Sequence, residues 1–155
     1  EAVISASSLS ALSGIGGIIG TLLAIALSKK YTKRKPVIIV SGLIMTASAF
    51  LMVKTTTPAV AVAAALVLGT FMFLPMTSLV MIPQELPNMT PSRLTAIMGV
   101  FWAMAYIIET IVFFLFGVLF DKTGSYSSSI LIAVILSLSF TVGGIFLPET
   151  GKSSK

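Results

Sequence analysis

Five apolar stretches, each close to the length of a bilayer crossing, dominate this sequence: residues 4–28, 37–53, 58–82, 94–120 and 128–147. A helix needs about 20 mostly apolar residues to cross the hydrocarbon layer, with a lower limit near 17 that the second stretch meets. Lipid offers the backbone no hydrogen-bond partners, so such segments must satisfy their own N–H and C=O groups as helices. The expected fold is therefore an all-α, polytopic transmembrane bundle of five spans. Only 10% of residues are charged and 56% are hydrophobic, where a soluble domain carries about 25% charged residues. There is too little charge to cover a surface facing water.

Punctuation falls between the spans. Pro36 and Pro58 sit at first-turn positions, where a missing N–H is harmless, and Thr90-Pro91 reads as an N-cap followed by a first-turn proline. The Ser127 region offers caps for the last helix. Pro83, Pro87 and Pro148 are expected to close helices, and Pro75 to kink the third span. The fourth span is long enough to tilt or to project from the bilayer.

Orientation follows from the ten cations. Lys29, Lys30, Lys33, Arg34 and Lys35 crowd the first loop, Arg93 lies in the third, and Lys152 and Lys155 in the tail, against Lys54 and Lys122 at the other end. Eight against two places the first and third loops and the C-terminus in the cytoplasm by the positive-inside rule. An eight-residue basic loop pinned between two membrane helices cannot wrap a duplex, so LSKKYTKRKP is a membrane rim and nucleic acid is not an expected partner. Cysteine and histidine are absent and the carboxylates are scattered. Disulfides, thiol chemistry, imidazole relays and a His-based metal site are thereby excluded, and no metal or cofactor is expected.

Glu109 is the one ionisable residue deep within a span. A charge there costs about 2.5–3.5 kcal/mol on insertion scales. The cost falls if the group protonates, pairs or faces water. At helical spacing Gly99, Trp102, Tyr106, Glu109 and Phe113 share a face, with Thr110 beside them. A mid-span Trp and Tyr next to a carboxylate describe one wall of a polar cavity. The alternative is a protonated Glu bonded to a neighbouring helix for packing alone. In the third span Thr70, Phe73 and Thr77 form a stripe, and Pro75 frees a carbonyl one turn back. The opposing reading there is ordinary packing with Thr bonded to its own helix. In the first span Ser10-x-x-x-Gly14, Ser13-x-x-x-Gly17 and Gly16-x-x-x-Gly20 form a small-residue ridge for close helix approach. GIGGIIG lacks the Lys-Ser/Thr of a phosphate loop and lies in lipid. The Asn88-Met89-Thr90 sequon falls on the cytoplasmic side, where it is not glycosylated.

Four segments in order resemble the major facilitator superfamily, over the last five of its twelve helices. LSKKYTKRKP resembles the basic loop between helices eight and nine, a degenerate copy of G-x-x-x-D-R-x-G-R-R. The acidic position falls on Ser28 or Lys29, and the glycine near Thr32 is missing. PQELPNMTPSRLTAIMG, with Glu85, Arg93, Ala96 and Gly99, resembles the loop from ten to eleven. GVLFDKTGSY resembles the outer end of helix eleven, and LPETGK the ending after helix twelve. The segments are similar to both cyanate-permease-like and sugar-porter-like branches.

The resemblance implies that residues 1–155 are the C-terminal part of a secondary transporter, its N-terminal half supplied by the rest of the chain. It implies alternating access for a small solute, with the tenth helix lining the central cavity. No nucleotide-binding element is present, so coupling to an ion gradient or simple facilitation is expected, with Glu109 the candidate proton or cation site. Lys29, Lys30, Lys33, Arg34, Lys35, Glu85, Arg93 and Glu149 are expected at the cytoplasmic rim. There, Lys33, Arg34, Glu85, Arg93 and Glu149 would cluster as a gate. The other class of function is a non-transporting assembly subunit or a membrane-embedded enzyme. An intramembrane inventory without His, Cys or a carboxylate pair argues against the enzyme.

Overall fold

A computed structural model describes residues 4–150. These residues are helical throughout, without strands, in six helices: α1 (Ala6–Lys30), α2 (Lys35–Lys54), α3 (Pro58–Glu85), α4 (Pro91–Thr123), α5 (Ser127–Ser137) and α6 (Ser139–Phe146). α5 and α6 together make one crossing, so five segments are long and apolar enough to span a membrane. The bundle is of the all-α, polytopic class that the sequence predicts.

The caps largely follow local chemistry. Ser5 and Thr90 accept hydrogen bonds from the N–H groups three residues on, and prolines occupy the first turns of α2, α3 and α4. α4 ends on Gly124 at φ 63°, a left-handed conformation that L side chains resist. α5 starts differently from expectation. Its N-cap is Tyr126, which makes no side-chain cap bond, and Ser125 Oγ instead accepts from the Ser127 N–H at 3.2 Å.

α3 is the central element, packed against α1 on one side and α2 on the other, while α2 carries the α5–α6 crossing on its far side. The α1–α3 contact is close because the expected ridge is used. Gly16, Gly17 and Gly20 are buried, and a Cβ on Gly16 or Gly20 would collide with the backbone carbonyls of Leu66 and Thr70. The facing Gly69 meets the Ser13 carbonyl in the same way. α1 and α3 therefore touch backbone to backbone, the geometry that dispersion packing in lipid favours. Three hydroxyls on these helices bond to carbonyls four residues back, Ser13 to Leu9, Thr21 to Gly17 and Thr70 to Leu66, so these three have partners within their own helix.

One expectation fails, and one span within its expected bounds is irregular. Pro83 does not close the third helix, which runs through both Pro75 and Pro83 to Glu85. Pro83 removes only the donor to the Leu79 carbonyl, a loss that membrane helices accommodate, and beside it the Gln84 side chain donates to the Val80 carbonyl at 3.2 Å. The last span is not continuous. At Leu138 the N–H turns to the Ile135 carbonyl at 3.1 Å, and the Ser137 hydroxyl takes the Val134 carbonyl at 2.6 Å. A side chain inserted into the helix ladder is a sufficient cause of a break. Ser137 Oγ also lies 2.8 Å from Thr46 Oγ1 of α2, which pins the break near the midpoint of both spans.

α4 stands apart. Its 33 residues are about 50 Å long at 1.5 Å per residue, well beyond a hydrocarbon layer of about 30 Å. No residue of α4 is fully buried, and it touches the bundle only lightly, at α3 and α5.

Candidate functional site

One end of the bundle gathers the expected rim. The C-terminus of α3 carries Glu85 to the loop between α1 and α2, where Arg34 is buried. Arg34 Nη2 donates to Glu85 Oε1 at 2.8 Å and Nε to the same oxygen at 3.2 Å. Thr150 Oγ1 donates to Glu85 Oε2 at 2.9 Å from beyond the last helix. Glu149 binds backbone: the Arg34 N–H donates to Oε1 at 2.7 Å and the Lys35 N–H to Oε2 at 3.3 Å. Those amides open α2, whose N-terminus no side chain of its own caps. A carboxylate at that position satisfies orphan donors and meets the positive end of the helix dipole. Lys35 Nζ closes the circuit by donating to the Ile145 carbonyl at 2.5 Å. Three chain segments are thus tied at one end, around a cavity of about 310 Å³ between Thr32, Arg34, Glu85 and Thr150.

The other rim residues lie outside this cluster. Lys29 and Lys30 occupy the last turn of α1, where cations complement the helix dipole, and Lys30 Nζ lies 5.8 Å from the Tyr31 ring centroid. Lys33 is exposed and makes no bond among the described residues. Arg93 donates through Nη1 to the Asn88 carbonyl at 3.3 Å, within its own loop. Arg34, Glu85 and Glu149 come together as expected, and Lys33 and Arg93 do not join them.

The candidate cavity residues divide between two helices that hardly meet. On α3, Thr70 is buried where Gly20 of α1 approaches, its hydroxyl bonded to Leu66 O at 2.8 Å. Phe73 lies over Gly17, so both residues serve the α1–α3 contact. Thr77 is half-buried further along. On α4, Trp102 meets Phe101 edge-on at 5.3 Å between ring centroids and Tyr106 at 6.2 Å. The Thr110 hydroxyl bonds to the Tyr106 carbonyl at 2.8 Å. Glu109 is exposed and has no hydrogen-bond or ion-pair partner among the described residues.

Between α4 and the wall formed by α3 and α6 lies a cavity of about 360 Å³. Met76, Phe101, Trp102, Ala105, Phe140 and Gly143 contribute to its lining. Trp102 therefore does line a cavity, but an apolar one, where the sequence suggested a polar wall. A side pocket of about 100 Å³ continues it past Pro83 and Ile97.

Sequence reasoning missed the capping role of Glu149, the Thr150 bond and the Thr46–Ser137 pair. Only the Pro-Glu-Thr tripeptide hinted at the first two, and nothing local links residue 149 to residue 34. No family model, curated protein or solved structure matches the chain.

Proposed function

We propose that the chain is the C-terminal five-helix part of a secondary active transporter of the major facilitator type, moving a small solute by alternating access with proton coupling. Glu109 carries this reading. A carboxylate in the middle of a span, without a partner in its own bundle, requires water, a proton or a cation from elsewhere to offset its desolvation. α4, which carries it, has no buried residue among the described helices, as a helix bordering a second bundle would. The tied rim supports the same reading, because an ion pair and carboxylate hydrogen bonds joining three segments at one end can hold one state closed and part in the other. In this reading the basic end and the C-terminus face the cytoplasm, the membrane is the plasma membrane, and the N-terminal half completes the site.

Reconstitution of the full-length protein into proteoliposomes tests the proposal. Imposed proton gradients should drive saturable solute uptake from a small-solute panel. Absence of gradient-driven uptake in correctly oriented, folded protein would favour a structural subunit instead.

A further inference from the structure

The cavity against α4 and the carboxylate on the same helix belong together. From Leu94 to Phe116 the half-covered positions of α4 are Leu94, Met98, Ala105, Val112 and Phe116, and every other position there is exposed. These five define the side of the helix turned to the bundle. At 100° per residue Glu109 lies only about 40° from the centre of that stripe. It is one turn past Ala105, the innermost α4 residue of the cavity, a rise of about 6 Å. Glu109 is exposed and does not itself line the pocket walled by Phe101, Trp102, Phe140 and Met76, but helix geometry places it one turn beyond the pocket's inner end.

Aromatic faces and a thioether attract cations as well as apolar bodies. The cavity volume of about 360 Å³ lies within the range of roughly 300–1,000 Å³ typical of small-molecule sites. No Lys or Arg occurs within residues 94–120 or the other apolar stretches, so nothing in the spans would hold an anion. The occupant that complements an apolar, aromatic pocket with one unpaired carboxylate a turn beyond it is a lipophilic organic cation. We infer that the cleft between α4 and α3/α6 binds such a cation, its apolar groups among Phe101, Trp102 and Phe140 and its charge toward Glu109. The inference deepens the transporter reading by naming a substrate class, and it rests on that reading only for the word substrate.

Trp102 is the single tryptophan of this chain and lines the cavity, so its fluorescence reports occupancy. The test is titration of the protein in lipid nanodiscs, with Trp102 the sole tryptophan, by tetraphenylphosphonium. The same titration with tetraphenylborate, an anion of the same shape, is the control. The cation should perturb Trp102 saturably and the anion should not. Glu109→Gln should weaken cation binding about ten-fold or more, and Glu109→Asp should recover part of it. Ala105→Trp, which fills the cavity, should abolish binding while helix content by circular dichroism is retained. This variant is read by equilibrium dialysis, because it adds a second fluorophore. Equal response to both ions, no saturation, or unchanged affinity in Glu109→Gln would overturn the inference. Cation binding without proton-driven uptake would leave the inference standing and remove the transporter reading. Proton-driven uptake without cation binding would do the reverse.

Discussion

Gly69 and Gly99 are both mid-span glycines, yet the fold treats them oppositely. A Cβ on Gly69 would enter the Ser13 carbonyl of α1, whereas a Cβ on Gly99 would meet open space. Gly69→Ala should destabilise the bundle by about 1–3 kcal/mol through overpacking, and Gly99→Ala should be neutral or slightly stabilising. Reversible unfolding in mixed micelles, monitored by circular dichroism, checks both. The small-residue ridge of α1 was readable from spacing, because its period puts Gly16 and Gly20 on one face. The partner face was not, since Gly69 and Thr70 look in sequence like cavity residues. What decides is which helix covers α3, and that is a tertiary fact. Arg34 shows the limit from the other direction. Five neighbouring cations are alike in sequence, but only Arg34 is both buried and forked onto Glu85. Arg34→Ala would leave Glu85 with Thr150 alone. Removing one partner of a buried pair costs about 3–5 kcal/mol. With the Glu85 side chain 25% exposed, water screens part of that, and about 1–2 kcal/mol is expected in the same unfolding assay.

At the scale of elements, the five crossings were legible because hydropathy and length suffice to specify them. Their ends shifted where proline was over-read. Ending the third helix at residue 82 would leave Glu85 in a loop, but α3 continues past Pro83 and holds Glu85 on a rigid terminus facing Arg34. The break at Leu138 was invisible because no Gly or Pro marks it. It depends on Ser137 reaching Thr46, a pairing 91 residues apart. A double-mutant cycle of Ser137→Ala and Thr46→Val should give a coupling of about 0.6 kcal/mol, typical of interhelical bonds in lipid. Ser137→Ala alone should also slow amide exchange at Leu138, by allowing the regular helical bond to re-form. A coupling near zero with unchanged exchange would detach the break from this pair. The tied rim makes a separate prediction. The chain has no cysteine, so single cysteines can be placed without background. Glu85→Lys should raise labelling of Thr32→Cys, which lines the rim cavity, several-fold as the three segments part. Unchanged labelling would mean that the ion pair does not hold that end closed.

For the molecule as a whole, Arg34, Glu85 and Glu149 meeting at one end shows that the first loop, the α3 terminus and the tail share a side of the bundle. That grouping of the first loop, the third and the tail on one side is the one the cation count predicted, reached here by contacts. In the proposed orientation that end is cytoplasmic, and it predicts that reporters fused at Lys54 and after the last helix lie on opposite sides, with the latter cytoplasmic. The uncovered α4 is the largest departure from a self-sufficient bundle, and it carries the group on which the functional account depends. In the proposed function Glu109 is the site of the coupling ion. Glu109→Gln keeps shape and hydrogen bonding but cannot titrate. The decisive measurement is solute uptake by the full-length Glu109→Gln protein in proteoliposomes, with and without an imposed pH gradient, beside counterflow exchange in the same vesicles. The account predicts retained counterflow and lost gradient-driven accumulation. Accumulation at the unsubstituted level, at equal reconstituted protein, would contradict it and leave Glu109 without a coupling role.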